Sequence, residues 1–179
     1  KAAISIFSDE NFAAATQKNT VDFKMLRNKR CVLYLIIPED KISYSAPFLS
    51  LFYNQIFSFG INNKEGLPLY FILEEFANIG KIPNFSEIIN VARKRNISIT
   101  TVLQDLNQFQ AVYKEHAESI LSGGTVSKLF YPGLGTKSAQ YVSELLGKKN
   151  EEALSQSKQS KSVLDSSESS RREDKPLLS

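Results

Sequence analysis

Four short β-rich runs, CVLYLII at 31–37, PLYFIL at 68–73, ISITTVL at 97–103 and TVSKLFY at 125–131, are separated by stretches with helical spacing of apolar residues. All but the last are nearly continuous in apolar or β-branched side chains, as central strands covered on both faces require. Strand after helix after strand predicts right-handed crossovers, and therefore an α/β fold with a mostly parallel sheet flanked by helices. Ligands of such sheets gather at the carboxyl ends of the strands, where loops and helix N-termini converge.

The intervening segments fit that scheme. Residues 45–59, SAPFLSLFYNQIFSF, place apolar side chains at helical intervals, with Ser45 or Pro47 suited to the start. In NFSEIINVARKRN, Phe85, Ile88, Ile89 and Ala92 share a face, and Asn84 with Glu87 three residues on resembles a capping box, which predicts a helix over 84–95. Residues 105–121 read as one broken helix or two short ones, and 136–146 as another that stops before Gly147.

A chain of 179 residues with 42% hydrophobic content can bury one ordinary core. We expect one domain over 1–147, followed at 148–179 by a disordered Ser-rich tail or at most a weak hairpin. The net charge of +3, spread along the chain, permits a phosphate-bearing partner without arguing for one. The single cysteine, Cys31, forms no internal disulfide, and its place at the head of CVLYLII predicts a buried thiol in a reducing compartment. No apolar run approaches the ~20 residues of a membrane span, and KAAISIFSDE lacks the pattern of a signal peptide. Because the chain opens without methionine, the expectation is a piece of a longer polypeptide with any membrane anchor upstream.

The second run ends in two carboxylates, LYFILEEFANIGKIP at 69–83. Adjacent residues of an extended strand point to opposite faces, so Glu74 and Glu75 are poorly placed to flank one glycosidic bond. An apolar strand can instead deliver one carboxylate towards a hydrated magnesium ion while the next orients or deprotonates a water, the Walker B arrangement of nucleotide hydrolases. Capping of a loop is the other reading of the pair. A phosphate cradle, Gly-x-x-x-x-Gly-Lys-Ser/Thr, is missing. Its nearest imitation, GLGTKS at 133–138, has Thr136 and Tyr131 where the two glycines belong, and reads as a tight turn and helix start.

From the acidic pair onward, EEFANIGKIPNFSEIINVARKRNISITTVLQDLNQF resembles the motor core of type IV secretion coupling proteins, the TraG/TraD-type conjugative DNA-transfer ATPases. The likeness continues through Gln108 and Tyr113 in QDLNQFQAVY, through ILSGGTVSKLFYPG and YVSELLGKK, and upstream through KNTVDFKMLRNKRCVLYLIIPEDKISYSAPFLSLFYNQIF. It covers nearly the whole chain, least in the Ser-rich tail. This resemblance implies a RecA-like fold, present here as a partial P-loop NTPase domain without its Walker A half. It also implies ATP and magnesium as ligands and a homo-hexamer at the cytoplasmic face of the bacterial membrane. Single-stranded DNA, its relaxase and type IV secretion channel proteins are the implied partners. Carried over by position, Glu74 takes the place of the magnesium-linked aspartate, Glu75 that of the catalytic glutamate and Gln104 that of the residue sensing the terminal phosphate. Glutamate at 74 departs from the family pattern by one methylene. The fragment alone is expected to bind ATP poorly.

Arg93 and Arg95 are open to two readings: cations complementing the helix dipole at a solvated end, or, in a ring with nucleotide between subunits, an arginine finger. Phe109 and Tyr113 are spaced for helix packing, with stacking on a nucleic-acid base as the lesser alternative. His116 stands in a polar helix without metal-ligand company, and Lys148 with Lys149 is too small a cluster for a nucleic-acid patch. The rival to a motor is a non-catalytic docking module that recruits relaxase or channel components.

Overall fold

The computed structural model describes residues 6–153 and 171–176. It divides into two compact units, Lys1–Leu129 and Phe130–Ser179. In the first unit α1 (Glu10–Thr16) and α2 (Lys24–Asn28) precede the long α3 (Ile42–Asn62). Then come β1 (Leu69–Leu73), α4 (Phe85–Ala92), β2 (Ile97–Thr101) and α5 (Leu106–Tyr113), with a π-helical turn at Ser119–Gly124. The second unit holds α6 (Thr136–Leu146) and an antiparallel pair, β3 (Lys148–Ala153) with β4 (Arg171–Pro176). Residues 154–170, the centre of the expected Ser-rich tail, lie outside the described residues.

The strands β1 and β2 are parallel and in register from Leu69↔Ile97 to Leu73↔Thr101, joined through α4 and a 3₁₀ turn at Arg93–Arg95. This is a βαβ unit, and it makes the first unit an α/β fold. The expected larger sheet is not present among the described residues. Residues 31–37 and 125–131 carry strand-like sequences but no ladder, because a strand exists only where a neighbour accepts and donates its hydrogen bonds. Cys31 is consequently exposed rather than buried, its thiol 3.8 Å from the Met25 carbonyl.

The two-stranded sheet is covered on one face only. Leu69 and Leu73 are buried, whereas Tyr70 and Ile72 are 74% and 70% exposed, so the expectation of strands covered on both faces is corrected. On the covered face an aromatic core gathers. Phe57 of α3 lies 4.4 Å from Phe71 of β1, Phe76 lies 4.6 Å from Phe85 of α4, and Phe76 stacks on Tyr113 of α5 at 5.4 Å and 17°. Rings this close add specific contact to the burial of their area. Tyr113 and Phe109 are thus core residues, and base stacking by either is ruled out by burial.

Three local details depart from expectation or refine it. α3 begins before Ser45 and carries Pro47 inside, a position where no N–H is available for the Ser43 carbonyl. Asn84 adopts φ 56° and makes no side-chain cap, so the capping box with Glu87 does not form, while Phe85, Ile88 and Ala92 are buried on the predicted face. Residues 105–121 do break, after Tyr113, where Lys114 takes φ 47°. Among the described residues no helix is long and apolar enough to cross a membrane.

Candidate functional site

The carboxyl ends of β1 and β2 are tied by one more step of hydrogen bonding beyond the regular ladder. The Val102 N–H donates to the Leu73 carbonyl at 2.9 Å, and the Phe76 N–H donates to the Val102 carbonyl at 3.0 Å. A single residue after β2 therefore faces both Leu73 and Phe76 at the end of β1. Glu74 and Glu75 bulge between those two anchors, which is how a buried strand comes to present acids at its rim. Glu75 takes φ 46°, a left-handed conformation that costs a side chain bearing Cβ about 1–2 kcal/mol.

The bulge sets Glu75 beside the segment after β2. Gln104 Nε2 donates to Glu75 Oε1 at 2.9 Å, and Asn78 Nδ2 donates to Glu75 Oε2 at 2.9 Å. Asn78 also donates its backbone N–H to the Glu75 carbonyl at 2.7 Å, closing the turn. Each carboxylate oxygen thus holds one amide donor, and of its roughly four lone-pair directions about two remain for a water or another donor. Ala77, Leu103 and Gln108 complete the lining of this small cleft.

Glu74 is exposed and has no hydrogen-bond or ion-pair partner among the described residues, so its carboxylate is free to meet a cation. No three His, Cys, Asp or Glu side chains converge among the described residues. A cation at Glu74 would draw the rest of its shell from water and phosphate oxygens, the manner in which magnesium is usually held.

Arg93 and Arg95 are not brought to this cleft. They precede β2, at the amino end of a five-residue strand, roughly 13 Å from the carboxyl edge at about 3.3 Å per residue. Arg93 is exposed and Arg95 half-buried. His116 lies 3.5 Å from Glu115 with both side chains exposed, and GLGTKS forms a turn with Gly133 at φ 90° followed by α6.

Two residues escaped the sequence reading. Asn78 was visible only as part of ANIG, and its spacing of three from Glu75 is the signal for a turn-closing side chain. Arg27 lies inside KMLRN without any pattern to mark it, yet it is only 4% exposed. Its guanidinium donates to the carbonyls of Leu67 at 2.8 Å, Asn96 at 3.2 Å, Gly60 at 2.9 Å and Arg95 at 2.8 Å. Gly60 belongs to the last turn of α3, where carbonyls lack helical partners, so Arg27 caps that helix and ties it to the start of β2. Burial lowers the Arg27 pKa from its ordinary value by desolvation.

Fold and site together define an α/β domain that carries an amide-held carboxylate at the carboxyl edge of its parallel strands. The chain belongs to the type IV secretory system conjugative DNA transfer family, whose model matches residues 1–179. Among curated proteins it is similar to Protein VirD4 of Rhizobium rhizogenes, 22% identical over 158 residues that make up 86% of this chain and 24% of the relative. Protein VirD4 of Agrobacterium fabrum is 21% identical over 148 residues, 80% of this chain and 22% of the relative. Protein VirD4 of Rhizobium radiobacter is 21% identical over 166 residues, 90% of this chain and 24% of the relative. The chain therefore spans under a quarter of the length of these relatives. No solved structure matches it significantly.

Proposed function

We propose that this chain is the hydrolytic part of a RecA-like conjugative coupling ATPase, in which ATP hydrolysis drives single-stranded DNA and its attached relaxase through a type IV secretion channel. Family membership and the VirD4 relatives support the DNA-transfer role. The observation that carries the hydrolytic reading is the 2.9 Å bond between Glu75 and Gln104 at the carboxyl edge of β1 and β2. It joins a base to a polar group able to report on a phosphate.

In this reading Glu75 accepts the proton of a water as the water oxygen bonds to the terminal phosphorus and the bond to the leaving diphosphate breaks. Gln104 orients Glu75 and donates towards the terminal phosphate. Glu74 is the side chain that would hold a hydrated magnesium ion, and such an ion would supply positive charge against the phosphates. The cradle for those phosphates belongs to the remainder of the polypeptide. Arg93 or Arg95 serves a neighbouring subunit's nucleotide in a homo-hexamer at the cytoplasmic face of the bacterial membrane, their place away from this cleft being compatible with action in trans.

The test is ATP turnover by the full-length protein. Glu75→Gln keeps the shape and leaves one oxygen to accept from Gln104 or Asn78, but removes the base, and turnover should fall by at least about a hundredfold with ATP still bound. Full turnover in that variant would favour the docking module instead.

A further inference from the structure

We infer that Asn78 is the positioning residue for the Glu75 carboxylate, a role that rests on the proposed chemistry of Glu75. Asn78 holds Glu75 twice, through its backbone N–H to the Glu75 carbonyl at 2.7 Å and through Nδ2 to Oε2 at 2.9 Å. Both contacts lie within one turn, so the side chain and the backbone that carries it are fixed by the same residue. Gln104 reaches Oε1 from the other strand end, 29 positions away.

The backbone of Glu75 makes this double hold informative. At φ 46° a glycine would be relaxed and a glutamate is not, so the turn keeps a carboxylate where the chain alone disfavours one. Glu74, its neighbour, is exposed and has no comparable hold. The two amides divide the work. If Gln104 turns to a phosphate, Asn78 alone keeps the carboxylate in place, with Oε1 released towards a water. A charged acceptor and an amide donor at 2.9 Å form a charge-assisted bond, stronger than a neutral one.

Asn78→Asp tests this without changing shape or the backbone N–H. It replaces the donor by a carboxylate oxygen, which offers Glu75 Oε2 no hydrogen bond and repels it. Three full-length variants are compared with wild type: Asn78→Asp, Asn78→Ala and Glu75→Gln. Asn78→Ala should lower kcat about tenfold with the KM for ATP within about twofold, the signature of an interaction used in the reaction rather than in binding. Asn78→Asp should lower kcat at least as far as Asn78→Ala, because an acceptor then faces the Glu75 carboxylate.

A second measurement needs no turnover. In crystal structures of the nucleotide-free protein, the Glu75 side chain should leave its contact with Gln104 in Asn78→Asp and keep it in wild type. If Glu75→Gln retains turnover, the chemistry assigned to Glu75 fails and the Asn78 role falls with it. Turnover lost in Glu75→Gln but unchanged kcat in both Asn78 variants overturns the Asn78 role alone. So does a Glu75 side chain that stays in place opposite Asp at 78. A raised KM with unchanged kcat also overturns it.

Discussion

Gln104 donates to Glu75 at 2.9 Å across two strand ends that are brought side by side by the Val102 hydrogen bonds. The two residues therefore act as one unit, and their removal should not be additive. If the full-length protein hydrolyses ATP as proposed, Gln104→Ala and Glu75→Gln should each reduce kcat, while the double variant loses little more than Glu75→Gln alone. Steady-state turnover of the four proteins of the cycle measures this, and simple additivity of the two losses would separate the residues.

The left-handed backbone at Glu75 predicts an ordering of stabilities that owes nothing to catalysis. Glu75→Gly and Glu75→Ala lose the same side-chain bonds, but only glycine relaxes at φ 46°. Glu75→Gly should be the more stable of the two by about 1 kcal/mol in urea denaturation, with neither supporting turnover.

Arg27 is a buried cation whose partners are carbonyl dipoles rather than an acid. A planar fork can meet four carbonyls where an ammonium cannot. Arg27→Lys should cost about 2–3 kcal/mol, seen as a lower urea midpoint with the denaturant slope unchanged. Gly66 is constrained by the same residue. Its φ is 97°, and a Cβ there would lie 2.5 Å from the Arg27 carbonyl, so Gly66→Ala should destabilise as well.

Burial pushes the Tyr113 hydroxyl up to about 12 from 10.0, with the Ile82 N–H donating to its oxygen and pulling slightly the other way. The unfolded chain loses this proton first as pH rises. The contribution is therefore fully present below pH 10 and is lost between about pH 10 and 12, up to about 2.7 kcal/mol. Tyr113→Phe retains the stack on Phe76 and should flatten that alkaline decline, at a cost of about 1 kcal/mol at neutral pH. Thermal melts from pH 8 to 12 compare the two proteins.

The open face of the sheet predicts a solubility effect. Tyr70 and Ile72 already face solvent, so replacing both by threonine keeps β propensity and costs within about 0.5 kcal/mol per site. The 179-residue chain carrying both changes should show less aggregate on size-exclusion chromatography than the unaltered chain. An unaltered aggregate fraction would place the sticky surface elsewhere, with Val32, Tyr34 and Ile36 next in line.

Much of the first unit was legible from local pattern. The runs ending at Leu73 and beginning at Ile97 and the amphipathic α4 follow from periods of two and 3.6, which short segments impose by themselves, whereas 105–121 read as broken or double without the place of the break, after Tyr113. The acidic pair at the rim was legible too, because two charges after an apolar strand have nowhere else to go. What failed was the count of strands. Residues 31–37 and 125–131 have strand composition, but a ladder is a property of two segments and composition describes only one. The capping box failed likewise, since Asn84 spends its backbone on a left-handed turn.

By itself, then, the order of residues determined where the helices and the two paired strands would run, and that two carboxylates would follow the first of those strands. Only the tertiary structure decided that Val102 would bond both Leu73 and Phe76 and so fold Glu75 against Gln104 and Asn78. It also decided that Arg27 would be the cation buried at the far end of the same strands. The reason is that hydrogen bonds between residues dozens of positions apart depend on how strand ends and helices pack together, and no local period encodes that distance.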